Sequence, residues 1–95
     1  VNMAGSDVKT KRLTATGDAS IGRARVRQVL VTTAGSGTPE LKITDGSASG
    51  TVVLHCDLLT SEVDVIGFPD EGVLVTDDVH IATIDDITSI TVFYN

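Results

Sequence analysis

Ala24-Arg25-Val26-Arg27-Gln28-Val29-Leu30-Val31-Thr32-Thr33 is the stretch on which the fold class turns. Half of its residues are β-branched, which favours a strand over a helix. Successive side chains of a strand point to opposite faces. The segment therefore reads with Ala24, Val26, Gln28 and Leu30 on one face and Arg25, Arg27, Val29 and Val31 on the other. Its first half is amphipathic and its second half is apolar on both faces. That pattern predicts one exposed end and one end entering a core or an interface.

The same texture extends outward in both directions. Upstream, Val8 to Thr16 alternates more weakly, with Lys9, Lys11 and Leu13 against Val8, Thr10, Arg12 and Thr14. Lysine at a sheet edge discourages unwanted pairing, so this segment is expected to be an edge strand. Downstream, Glu40–Thr44, Thr51–Leu59, Glu62–Phe68, Val73–Val75, Val79–Ile84 and Ser89–Tyr94 all read as short strands. Turn residues cut them apart at Gly35 to Pro39, Asp45-Gly46, Gly67 to Gly72, Asp77-Asp78 and Asp85-Asp86. Seven or eight strands at spacings of roughly 8 to 12 residues predict an all-β fold, a small antiparallel β-sandwich or jelly roll. Residues 1–7 lack periodicity and are expected to form a flexible or partner-docked arm on a single domain spanning 8–95.

A chain of 95 residues buries only about 60–65% of its unfolded surface. Its aromatic residues are Phe68, Phe93 and Tyr94, so the core is expected to be thin and aliphatic, and a partner would stabilise it. Cys56 is the sole cysteine, which excludes an internal disulfide and suggests synthesis in a reducing compartment. No apolar run approaches the roughly 18 residues of a membrane helix, and Val1 to Thr10 has no secretory hydrophobic segment. All seven bases (Lys9, Lys11, Arg12, Arg23, Arg25, Arg27, Lys42) lie in residues 1–42 beside three acids, whereas residues 43–95 hold ten acids and no base. Such a division either neutralises itself within the domain or presents complementary patches to copies of the chain or another charged surface.

No constellation names a reaction or a cofactor. Gly17 and Gly22 have the gap of a phosphate-binding loop, but Arg23-Ala24 stands where that loop needs Lys followed by Ser or Thr, and a strand follows in place of a helix. His55, Cys56 and Asp57 are adjacent, yet strand alternation turns Cys56 away from the other two. Cys56 is thus expected to be a buried small hydrophobe between Leu54 and Leu58, and a site built from His55, Asp57 and His80 is the remaining metal alternative. Asp70-Glu71, Asp77-Asp78 and Asp85-Asp86 lack the spacing of a calcium loop and read as solvated turn carboxylates. Arg23, Arg25 and Arg27 form a candidate ladder, with about 6.5–7 Å between guanidinium groups along one strand face. With a net charge of −6 and few aromatics to stack on bases, nucleic acid is not the expected partner. An acidic ladder of Glu62 and Asp64, within the chain or across a subunit boundary, fits the arginines better.

Three stretches carry a resemblance: Thr44-Asp45-Gly46 through Gly50-Thr51-Val52-Val53-Leu54, Phe68-Pro69-Asp70-Glu71-Gly72-Val73-Leu74-Val75, and Ser89-Ile90-Thr91-Val92-Phe93-Tyr94. In strand and turn pattern they resemble small all-β virion proteins of tailed bacteriophages, particularly capsid decoration or cement proteins. The resemblance implies a β-sandwich subunit, often a homotrimer, seated on the outer capsid and bridging neighbouring major capsid proteins. It carries over no catalytic, metal or cofactor residue, and it implies no nucleic-acid or membrane partner. On this reading Lys9, Lys11, Arg12, Arg23, Arg25 and Arg27 are the expected protein-interface residues. A tail or fibre accessory module and a carbohydrate-binding or adhesion domain, with Tyr94 and Phe68 as stacking platforms, are the alternatives.

Overall fold

The computed structural model describes residues 8–69 and 72–95. Within them the alternating segments become nine strands: β1 (Lys9–Leu13), β2 (Gly17–Asp18), β3 (Ala24–Thr33), β4 (Glu40–Asp45), β5 (Val52–Asp57), β6 (Val63–Gly67), β7 (Val73–Val75), β8 (Val79–Asp85) and β9 (Ile87–Tyr94). No helix occurs among the described residues. Sheet A has the order β1-β9-β3-β6, with β7 also paired to β3 beyond the end of β6, and sheet B has the order β2-β8-β4-β5. All pairings are antiparallel. The fold is the expected small β-sandwich. The unforeseen ninth strand is β2, too short to show a period, which pairs Gly17 with Ile81 and Asp18 with His80. The arm assigned to residues 1–7 and the Asp70-Glu71 pair lie outside the described residues.

β3 is the centre of sheet A, and its face assignment differs from the expected one. Val26 is opposite Tyr94 and Gln28 opposite Phe93, so Arg27 is an extra residue in the ladder. Such a β-bulge reverses the phase of everything after it. Ala24 and Val26 are buried before the bulge, Val29, Val31 and Thr33 after it, while Gln28 is exposed and Leu30 half-buried. A second bulge leaves Val53 unopposed in β5, where Ile43 faces Leu54 and Thr44 faces Val52. Val52 turns outward, and Leu54, Cys56 and Leu58 pack on the core as expected. β7 reaches the β3 bulge because Gly72, at φ 95°, lies against Val26, whose carbonyl oxygen a Cβ would strike.

The core is aliphatic throughout. Leu41, Ile43, Ile81 and Ile90 are its largest fully buried side chains, joined by Val26, Val29, Val31, Val75, Val79 and Val92. Phe68 and Tyr94 pack at its border, partly exposed. Each fully buried side chain of this size contributes about 1.5–3 kcal/mol, as an upper estimate.

The turn carboxylates are not merely solvated; several hold turns to strands far away in sequence. Asp45 accepts hydrogen bonds from the Thr76 N–H (3.0 Å), the Thr76 hydroxyl (2.9 Å) and the Asp77 N–H (3.0 Å). Asp86, at φ 54°, accepts one from the Thr38 N–H at 3.0 Å. The backbone N–H groups of Thr76 and Asp77 hold the Asp45 carboxyl below its ordinary value of 3.8. A carboxyl depressed on folding adds stability that is complete above its unfolded pKa and is lost as pH falls through its folded pKa. Asp45→Asn is therefore expected to melt below wild type at neutral pH, with the gap closing as pH falls below 3.8. Thermal melts of both proteins from neutral to strongly acidic pH check this, and a gap independent of pH would refute it.

Candidate functional site

Among the described residues, sheet A ends in two open edges of opposite charge. At one, β1 pairs Lys9 with Tyr94, Lys11 with Val92 and Leu13 with Ile90. Opposed residues share a face, so Lys9 and Lys11 lie on the core side of the sheet with Leu13, and Thr10 and Arg12 lie on the outer side. Lys9, Thr10, Lys11 and Arg12 are all exposed, and β1 has no second strand partner among the described residues. The segment is the edge strand expected from its lysines.

At the other edge, β6 sets Asp64 opposite Val31 and Ile66 opposite Val29, on the core side. Val65 lies opposite Leu30 on the outer side, and Val63 opposite Thr32. Val63 is 63% and Val65 60% exposed. Leu74, also exposed, lies on the same outer face farther along, opposite Arg25. The valines of β6 were legible as an alternating strand; the side they would face was not. Asp64 lies near Cys56 of β5, whose thiol is pushed up by burial and by the Asp57 and Asp64 carboxylates. Packed against the core, Cys56 is a small hydrophobe and a poor nucleophile.

The arginine ladder is broken. Arg23 stands one residue before β3 and is exposed, Arg25 is opposite Leu74 and Arg27 occupies the bulge. Arg25 exchanges both backbone hydrogen bonds with Asn95, and Arg27 Nε donates to Asn95 Oδ1 at 3.1 Å. An evenly spaced row is not formed, because the bulge and the strand start displace two of its three members. Nor do these arginines meet Glu62 and Asp64 by strand pairing within the chain: their end of β3 pairs with β7, and Asp64 pairs with Val31 farther along.

The other candidate ligands are dispersed or internally satisfied. The backbone N–H groups of Ser20, Ile21 and Gly22 converge on the Asp78 carboxylate at 3.0, 3.0 and 3.2 Å. Asp78 thus fills the nest that an anion would occupy in a phosphate loop. His55 Nε2 lies 2.6 Å from Glu40 Oε2, and His80 Nδ1 lies 2.7 Å from Asp18 Oδ1. β4 separates the strands of the two histidines, and no group of metal-ligating side chains assembles among the described residues. A groove of about 480 Å³ opens beside Thr38, Asp57, Leu59 and Thr60. Its lining holds one carboxylate and no base to pair with it. No significant match to this chain is found among family models, curated proteins or solved structures.

Proposed function

We propose that the chain is a structural virion protein of the capsid decoration or cement type, which binds the outer capsid lattice and stabilises it through protein–protein contacts. The observation that carries this reading is the surface of sheet A. Exposed Val63, Val65 and Leu74 share its outer side with Arg12 and Arg25, so that one face of the sheet presents both apolar and basic side chains. Such a face suits docking on another protein better than binding a small substrate. A domain with an all-aliphatic core also gains stability from a partner that binds only the folded state. Stacking on sugars is less well served, because Phe68 and Tyr94 are packed against the core.

The test uses purified capsids of the phage that encodes the chain. The combined variant Arg23→Gln, Arg25→Gln, Arg27→Gln is expected to occupy fewer capsid sites than wild type, and the wild-type occupancy to fall as salt is raised. Unchanged occupancy by a variant that melts like wild type would overturn the reading, and binding to isolated tails in place of heads would favour the tail alternative.

A further inference from the structure

The two open edges of sheet A differ in a way that selects what can pair with them. β1 offers Lys9, Lys11 and Arg12, all exposed, while β6 carries Asp64 and continues from Glu62. Among the described residues, no ion pair engages Lys9, Lys11, Arg12, Glu62 or Asp64. Two β1 edges brought together would set bases against bases, and two β6 edges would crowd their carboxylates. Like charges across a strand pair are destabilising and opposite charges stabilising. Each edge therefore rejects its own kind and accepts the other.

The geometry points to a second copy of this chain as the occupant: we propose that β1 of one copy adds to β6 of the next and continues sheet A across the subunit boundary. Strand direction permits it. β1 is antiparallel to β9, β9 to β3 and β3 to β6, so β1 and β6 run in opposite directions. A neighbour placed alongside in the same orientation presents its β1 antiparallel to β6, the pairing that already builds the sheet. Facing also agrees, since Lys11 and Asp64 both lie on the core side of sheet A, and Arg12 and Val63 both on the outer side. The register that sets Lys11 opposite Asp64 sets Arg12 opposite Val63, Thr10 opposite Val65, Lys9 opposite Ile66 and Val8 opposite Gly67. It engages all of β6, leaves Glu62 diagonal to Lys11, and lays the stem of Arg12 over an exposed valine.

Each contact uses a different edge from each copy, so association is head-to-tail and proceeds beyond a dimer until a ring closes. The inference goes beyond the proposed docking on a capsid and does not depend on it.

Sedimentation equilibrium of the full chain in low salt tests it without any virion component. Wild type is expected to assemble with rising concentration and to dissociate as salt is added. Lys11→Asp and Asp64→Lys are each expected to weaken association about 30-fold. Mixing the two variants is expected to restore association, because every contact between unlike copies again sets an acid against a base, in the original sense between the intact β6 of the first and the intact β1 of the second and with the charges exchanged at the other junction. Circular dichroism melts matching wild type show that both variants fold. A wild-type chain that stays monomeric up to about 1 mM, undiminished assembly by Lys11→Asp, or a mixture that remains monomeric would overturn the edge pairing. Capsid occupancy that survives in either variant would leave the decoration reading standing, so the two proposals fail separately.

Discussion

Asp78→Ala is expected to lower the thermal midpoint by roughly 15 °C, equivalent to about 3 kcal/mol at about 5 °C per kcal/mol for a domain of this size. One carboxylate here serves four backbone donors. Besides Ser20, Ile21 and Gly22, Asp78 accepts the Val79 N–H at 2.8 Å. Three of these donors lie more than 50 residues away in sequence, in the loop between β2 and β3. Ser20 at φ 62° and Gly22 at φ 72° aim their N–H groups inward, a left-handed geometry that is unfavourable for serine unless the environment enforces it. Alanine removes the acceptor and leaves both the strain and the unpaired donors. Asp78→Asn keeps one acceptor oxygen and is expected to fall between the two. Differential scanning calorimetry of the three proteins checks the order, and an alanine variant melting with wild type would show that water replaces the carboxylate without loss.

Leu41→Ala is expected to cost about 3–4 kcal/mol and to lower the urea midpoint by about 2 M with an unchanged slope. Leu41 is fully buried and lies between Cys56 on β5 and Ile84 on β8. With no fully buried aromatic to repack into the space, the cavity should stay open, and the loss should reach the upper part of the usual range. A domain of this size holds about 5–10 kcal/mol in total, so a third or more of it depends on one side chain. Leu41→Met conserves volume and is expected to cost less than about 1.5 kcal/mol. Equal losses for the two variants would mean that shape rather than volume limits the site.

Strand positions were far more legible than strand faces. Val73–Val75 sits where its residues and flanking turns put it, and β4, β6 and β8 end within a residue of expectation, because turn residues bound them, and β6 and β7 keep one phase from end to end. β3 does not. Reading Ala24, Val26, Gln28 and Leu30 as one face assumed an unbroken period, and the extra residue at Arg27 broke it. The available sign was the change at Gln28 from a face with arginines to a segment apolar on both sides. The turn acids were placed correctly, but their work was hidden: which N–H groups a carboxylate meets depends on loops dozens of residues away. For the same reason the basic segment of β1 was recognisable as an edge, while the opposing acidic edge at β6 required the strand order.

That strand order also governs when the molecule can come into being. Only β4 and β5 are both neighbours in sequence and partners in a sheet. β9 lies between β1 and β3, so on a ribosome β1 stays apart from the β3, β6 and β7 part of sheet A until Ile87–Tyr94 has emerged. Until then the valines of β3 have no partner on that side, and the nascent chain depends on chaperones or on speed to keep them from other chains. Emergence of β9 is thus the step that joins sheet A, and a ribosome stalled before β9 would hold a chain that cannot yet close its main sheet.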